Sequence, residues 1–377
     1  MNVNNAPVAS RGKRLLIVTQ AVDKDDPVLG FFIQWIIELA IHFESIHVIC
    51  LKEGLHTLPP HVHVHSLGKE TGRSRIKYLM RFFNYIYRLR KQYDSVLVHM
   101  NPEYVVLGGL FWRQWKKTIV LWFVHRRVSL RLLIAYYLAD IVCTAAYQSI
   151  SIWQPRVKAI GHGIDTTPYS GVERTRDYRS ILFLGRLDPI KRADVFVDAL
   201  LQLKERGIAF TADLYGSPSP SYAKETEELK KKAAPLIGAN LLTLHESIPH
   251  KETPVVYASH AIFVNLTPLG SFDKTILEAC ASGAVVITAN GALRQLLPKA
   301  LQTDGSVERT ALAIETALNL SAEERRAIGE RNRQYVEERH ALPHLIEKLV
   351  TILKSTPDTF LTRLRRYLSQ RRQTKLP

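Results

Sequence analysis

Arg186 and Lys191 lie five residues apart in GRLDPIKRADVFVDAL, Gly185 to Leu200, between a short apolar run and a helix-length segment. The free N–H groups and dipole of a helix start favour anions. An Arg that grips oxygens bidentately and a Lys that acts as a compact point charge would make that start a diphosphate clamp. Taken alone, the pair reads as a solvated basic loop. A second segment, NLTPLGSFDKTILEACASGAVVITAN from Asn265 to Asn290, has the same design. A strand runs into a loop with Gly270, and the helix that follows opens on Asp273, Lys274 and Thr275. Glu278 sits one turn further in, and Gly283 closes the helix. A carboxylate placed there can accept both hydroxyls of a ribose. Its plainer reading is an acid near a helix start complementing the dipole.

Other residues offer weaker signals. His99, Asn101 and Glu103, in VHMNPEYVV, follow an apolar strand. They read either as groups at the edge of a ligand cleft or as local loop hydrogen bonds. Asp23 and Asp25 have the look of a metal-binding pair but sit in a loop before Pro27, and no metal is expected there. His61, His63 and His65 alternate and so share one face of an extended strand. The expectation is three solvent-side histidines rather than a metal site.

These residues need a scaffold, and the hydrophobic pattern supplies one. Short apolar runs at 13–20, 46–51, 95–99, 118–124 and 141–144 read as strands, with helices at 31–43, 73–93 and 130–138, and 157–160 leads into GHGID. The stretch 166–179 is polar, holds a Pro and a Gly, and reads as a hinge. The pattern then restarts. Strands are expected at 180–184, 210–215, 241–245, 261–265 and 284–288. Helices are expected at 193–206, 223–234, 274–282, 309–318, 322–338 and 342–354. Two sets of alternating strands and helices predict an α/β protein of two doubly wound domains facing a cleft, with ligands outside the carboxyl ends of the strands.

A length of 377 residues suits two domains. Mean hydropathy of −0.06 suits a globular chain and excludes a disordered or collagen-like one. Cys50, Cys143 and Cys280 are scattered and odd in number, which argues against a disulfide framework and for a reducing compartment. The first sixteen residues have no long apolar core, so no secretory signal is expected. The longest apolar stretch, 132–146, is too short to span a bilayer and contains Asp140. The expected location is cytoplasmic.

The net charge is +16, and two stretches hold most of it. Residues 73–91 carry seven Lys or Arg and no acid, and the tail after Pro357 carries six against Asp358. Such concentration points to a polyanionic surface. In 73–91 the cations interleave with Ile76, Leu79, Phe82, Phe83 and Ile86. That pattern fits an interfacial helix, or a core-packed helix with a solvated basic face. With 360–377 it points to peripheral attachment to acidic lipid at the inner face of the cell membrane. No nucleic-acid partner is expected.

Three motifs in fixed order, GHGID, GRLDPIKR and, about ninety residues beyond that, ILEACASGAVVIT, resemble the retaining GT-B fold glycosyltransferases of family four, the group 1 type. The likeness runs from the strand at Leu15 to about Lys354. It implies two Rossmann-like domains, 1–165 on the acceptor side and 166–345 for the nucleotide sugar. A C-terminal helix and basic tail, 346–377, would follow, the helix crossing back to the first domain.

The implied activity is transfer of a sugar from a nucleoside-diphosphate sugar to a carbohydrate or lipid-linked acceptor hydroxyl, with retention, in cell-envelope polysaccharide or glycolipid synthesis. No cofactor or metal is implied. By the resemblance, Arg186 and Lys191 hold the donor diphosphate and stabilise the leaving group. Glu278 binds the ribose, Gly30 faces the phosphates, and Phe272, Asp273, Lys274 and Thr275 line the donor. His125 lies at the reactive centre, and His162 and Asp165 border the cleft. The family's first motif acid would fall at Gly270, three residues before Asp273. Two other readings stay open: another nucleotide-sugar enzyme of this fold, such as an epimerase, and a catalytically degenerate membrane- or nucleic-acid-binding protein.

Overall fold

The computed structural model describes residues 13–26, 28–72, 74–152, 155–170, 177–268, 273–293 and 295–355. Gly270 and Phe272, Arg73 and the tail 360–377 lie outside the described residues.

The first domain alternates β1 (Leu15–Val22), α1 (Phe32–Ala40), β2 (Ile46–Glu53), β3 (Val62–Ser66), α2 (Arg75–Arg88), β4 (Ser95–His99), α3 (Pro102–Gln114), β5 (Thr118–Trp122), α4 (Leu130–Leu138), β6 (Ile141–Thr144) and β7 (Val157–Ala159). All seven strands are parallel, in the order β3-β2-β1-β4-β5-β6-β7. β1 reads as a nearly unbroken apolar run because both faces are covered: Leu15 and Ile17 pack on the α1 side, Leu16 and Val18 on the side of α2 and α3.

After α5 (Thr167–Ser170), the second domain runs β8 (Asp177–Leu184), α6 (Ala193–Glu205), β9 (Thr211–Tyr215), α7 (Ala223–Ile237), β10 (Leu242–His245), α8 (Thr253–Ser259), β11 (His260–Asn265), α9 (Lys274–Ala281) and β12 (Val285–Thr288). Its parallel sheet has the order β10-β9-β8-β11-β12. Then come α10 (Val307–Leu318), α11 (Ala322–His340) and α12 (Leu342–Lys354).

Strand order reverses between β1 and β4 in the first sheet and between β8 and β11 in the second. Ligands of open α/β sheets bind at such switch points. Gly30 follows β1, His99 ends β4, Arg186 and Lys191 follow β8, and Asp273 follows β11. The residues singled out for their chemistry therefore belong to the strand ends where this topology opens a crevice.

The chain returns to its first domain at the end. The break between α11 and α12 falls at Ala341, extended at φ −61° and ψ 146° ahead of a proline in the first turn of α12. There Ile164 N–H donates to His340 O and Leu342 N–H to Ile164 O, both at 2.8 Å. α12 packs on α1, β4 and β5 and buries Leu345, Ile346, Leu349 and Leu353. Thr118 Oγ1 fastens its end by donating to Ser355 O at 2.9 Å. The crossing helix expected from the resemblance is present and starts at Leu342, so position 346 falls inside it.

One helix was not expected, and one expectation changes. The segment after Asn101 is the helix α3, opened by proline at its first position. Its Gly108 lies under the Trp112 ring and its Gly109 against Leu138 of α4, where a Cβ would come within 2.6 and 3.0 Å. The three alternating histidines are not all solvent-side. His65 is partly buried with Nε2 3.0 Å from His47 Nδ1, and His61 Nε2 bonds Ala40 O at 2.9 Å. Only His63 of the three is exposed.

Candidate functional site

Lys191 lies in a single helical turn, Pro189–Lys191, that leads into α6. Its ammonium pairs with the Asp273 carboxylate, and the two side chains are only 14% and 11% exposed. Asp273 caps α9, accepting from Thr275 N–H at 3.4 Å. The same carboxylate accepts from Asn265 Nδ2 at 3.0 Å and from Thr267 Oγ1 at 3.3 Å. Burial alone would raise its pKa. The Lys191 charge and these hydrogen bonds win, and the carboxyl is held below its ordinary value. Arg186 is much more open, at 62% exposure, and pairs with Asp188 at 3.3 Å. Behind them Gly216 presses on Gly185, whose carbonyl oxygen would stand 2.0 Å from a Cβ. The ends of β8 and β9 meet there without side chains between them.

Glu278 is buried, 4% exposed, one turn inside α9. One carboxylate oxygen lies 3.0 Å from His250 Nε2, and the other accepts from Tyr257 OH at 3.3 Å. Burial, reinforced by the Glu278 charge, pushes the Tyr257 phenol well up, so it stays a donor. An ionised carboxylate has about four acceptor positions, which leaves capacity for further hydroxyls.

Lys274 crosses to the first domain. Its ammonium stands over the Phe31 ring, 2.8 Å from the centroid. Burial pushes its pKa down to about 7, against the pull of Glu278. Phe31 is positioned by the loop before it. Asp26 accepts from Val28 and Leu29 N–H, and a Cβ on Gly30 would come within 2.7 Å of Lys24 O and 2.8 Å of Asp26 O. Beneath lies His99, which stacks on Phe32 at 4.1 Å and approaches Thr19 Oγ1 at 3.4 Å. Burial, with the charges of Lys274 and His162 adding to it, pushes His99 down to about 3, so the ring is neutral. His162 is also buried, between Gly161 and Gly163, both at positive φ, and Trp35 Nε1 donates to Gly163 O at 3.2 Å.

The remaining expected residues divide. Asn101 accepts from Gln20 Nε2 at 2.7 Å, at the ends of β4 and β1. Glu103 turns outward to Arg131 at 3.0 Å. His125 is exposed, and its Nδ1 accepts from Arg127 N–H at 3.0 Å within its own loop. Asp165 likewise caps its own turn at Thr167 N–H. Asp23 pairs with Lys52 and accepts from the Asp25 backbone rather than sharing a point with its side chain. Among the described residues no three His, Cys, Asp or Glu side chains converge as metal ligands. The structure adds Phe31, Asn265, Thr267, His250 and Tyr257 to the site. Asn265 and Thr267 carried a readable signal, as polar residues where a buried strand ends.

The family model of the group 1 glycosyl transferases matches residues 178–319. That match spans most of the second domain. A D-inositol 3-phosphate glycosyltransferase of Frankia alni is 29% identical over 155 residues, which cover 37% of this chain and 38% of that relative. Solved structures match the whole architecture. HepE of Anabaena, in complex with UDP and glucose, gives a TM-score of 0.68 at 16% identity over 90% of this chain and 99% of its own. A glycosyltransferase of Rickettsia africae gives 0.70 at 15% identity over 91% and 98%. Sucrose-phosphate synthase of Thermosynechococcus elongatus gives 0.69 at 16% over 90% and 98%. At such identities the likeness speaks for the fold, which is GT-B. The matched segment holds Arg186, Lys191, Asp273, Lys274 and Glu278.

Proposed function

We propose that the protein transfers a sugar from a nucleoside-diphosphate sugar to an acceptor hydroxyl with retention of anomeric configuration. The observation that carries this reading is the cation–carboxylate pair Lys191–Asp273 at the start of α9. A diphosphate needs fixed positive charge, and Lys191 with Arg186 supplies it at this corner. Asp273, held by Asn265 and Thr267, fixes Lys191 before the donor arrives.

In the proposed reaction the bond from the anomeric carbon to the diphosphate oxygen breaks while the acceptor oxygen attacks from the same face. The acceptor proton passes to the departing diphosphate. Charge grows on the diphosphate as the bond breaks, and Lys191 and Arg186 stabilise it where it forms. Glu278 receives the ribose hydroxyls and His125 serves the sugar's reactive centre. This chemistry calls for no metal or cofactor.

We place the reaction at the cytoplasmic face of the membrane, in synthesis of envelope polysaccharide or glycolipid. Supporting this, α2 fully buries only Phe82 and Ile86 and leaves Ile76, Met80 and Tyr87 exposed beside its cations. Among the described residues no helix is long and apolar enough to cross a membrane. Donor hydrolysis or transfer followed by NMR of the product anomer tests the reaction; an inverted product overturns retention.

A further inference from the structure

Three cations follow the strand ends at the switch point of the second sheet: Arg186 and Lys191 after β8, and Lys274 after β11. Two of them have carboxylate partners, Lys191 in Asp273 and Arg186 in Asp188. Lys274 is half-buried, and among the described residues its ammonium forms no ion pair. The acids around it are engaged elsewhere. Residues 265–274 include a single acid, Asp273, whose carboxylate meets Lys191, Asn265 and Thr267. Glu278, one turn along α9, has its oxygens against His250 Nε2 at 3.0 Å and Tyr257 OH at 3.3 Å.

Side chains in a helix lean back toward its start. Lys274, the first residue of α9, is thereby sent out of the second domain toward the first. There it meets the face of the Phe31 ring, 2.8 Å from the centroid. Phe31 in turn meets His99 edge-on at 6.2 Å. A ring face attracts a cation weakly compared with a carboxylate. It does hold the side chain extended, so the charge stands at the domain junction, one lysine stem away from the Lys191–Asp273 corner.

We propose that Lys274 receives a carboxylate carried by the donor sugar, so that the donor is a nucleoside-diphosphate hexuronate. This assignment rests on the transferase reading. With the diphosphate at Lys191 and Arg186, the sugar ring extends from that corner toward the first domain, and its C6 carboxylate meets the Lys274 ammonium. A neutral hexose offers a hydroxymethyl group at the same carbon. The carboxylate offers two charged oxygens, and a bond charged on both sides is roughly twice as strong as a neutral one. A neutral sugar closing over the junction would remove water from the ammonium without giving it a counter-charge, which is costly.

The test is calorimetric titration of the full chain with UDP, GDP and three matched pairs: UDP-glucose and UDP-glucuronate, UDP-galactose and UDP-galacturonate, GDP-mannose and GDP-mannuronate. The members of each pair differ only at C6. In at least one pair the acid donor is expected to bind about tenfold or more tighter than its neutral partner, the effect of one hydrogen-bonded charge. Lys274→Met and Lys274→Gln should both bring that ratio to about one or below and leave the affinity for the bare nucleoside diphosphate nearly unchanged. Melting curves on the same samples check that both variants fold. Neutral donors that bind as well as their acid partners in every pair overturn the proposal, and so does an acid preference that survives in both variants. Equal weakening of UDP or GDP and of every donor would make Lys274 a diphosphate ligand, which also overturns it. Nucleoside diphosphate binding without acid preference removes the hexuronate assignment alone. No binding of any nucleotide removes the transferase reading with it.

Discussion

Lys191 and Asp273, eighty-two residues apart in sequence, form a buried ion pair that joins the loop after β8 to the first turn of α9. The pair links the two strand ends flanking the switch point of the second sheet. It also explains how α9 can start on an acid that points inward: the carboxylate has a cation, an amide and a hydroxyl as partners.

Breaking this pair from one side leaves the other charge buried. Asp273→Ala is expected to destabilise by about 3 kcal/mol, the low end for buried pairs, since both side chains keep some exposure. The pH dependence has a definite sign. The folded-state pKa of Asp273 is depressed, so its contribution is complete above the unfolded value of 3.8 and is lost as pH falls through the folded value. Chemical denaturation at pH 7 and pH 3 checks this. The difference between wild type and Asp273→Ala should shrink at the acid end.

Lys274 has the opposite consequence. Its pKa falls from 10.5 to about 7, so the folded state binds fewer protons than the unfolded state between those values. Stability should therefore rise from about pH 7 toward pH 10.5, and the burial cost is felt in full below about pH 7. Lys274→Met should gain on the order of 1–3 kcal/mol at pH 6.5 and flatten the alkaline rise. Melting curves of both proteins at pH 6.5, 8 and 9.5 decide it.

α12 holds the first domain to the end of the chain. Leu345 is fully buried, and Leu345→Ala is expected to cost about 2–5 kcal/mol. Glu347→Ala, on the exposed side of the same helix, should stay within about 0.5 kcal/mol. Denaturation midpoints measured side by side check the contrast.

Arg186 is open where Lys191 is enclosed, and the two should fail differently. Arg186→Ala is expected to leave the melting temperature nearly unchanged while KM for the donor rises several-fold. Lys191→Ala should lower kcat by about 10²–10³, the effect of removing one group that meets developing charge. Both rates should be insensitive to EDTA. Steady-state kinetics with and without chelator measure all of this.

Most of the architecture was legible because parallel strands covered on both faces appear as uninterrupted apolar runs, as in β1, β5 and β11. Three features were not. α3 was hidden by Gly108 and Gly109, which lower helix propensity but are needed under Trp112 and against Leu138. α8 is seven residues long and gives no periodic signal. β3 looked like a surface strand because alternation cannot reveal His47 on the neighbouring strand, against which His65 packs.

In the candidate site, Lys191, Asp273, Lys274 and Glu278 were legible as charged residues near a helix start after a buried strand, and the family resemblance gave them their expected roles. Their partners were harder to find. Phe31 looked like the first residue of an apolar helix, and Tyr257 and His250 gain meaning only when α8 is folded against α9. Phe272 and the neighbouring Gly270 lie outside the described residues.

The central claim is that Lys191 and the start of α9 bind a nucleoside diphosphate. The most direct measurement is a thermal-shift panel of nucleoside diphosphates and nucleotide sugars on wild type, Lys191→Ala and Glu278→Gln. Binding raises the melting temperature by mass action, about 2.7 kcal/mol at a hundredfold excess over Kd. The account predicts a clear shift with at least one nucleotide, abolished in Lys191→Ala and reduced in Glu278→Gln. No shift with any nucleotide, or an equal shift in Lys191→Ala, would contradict it.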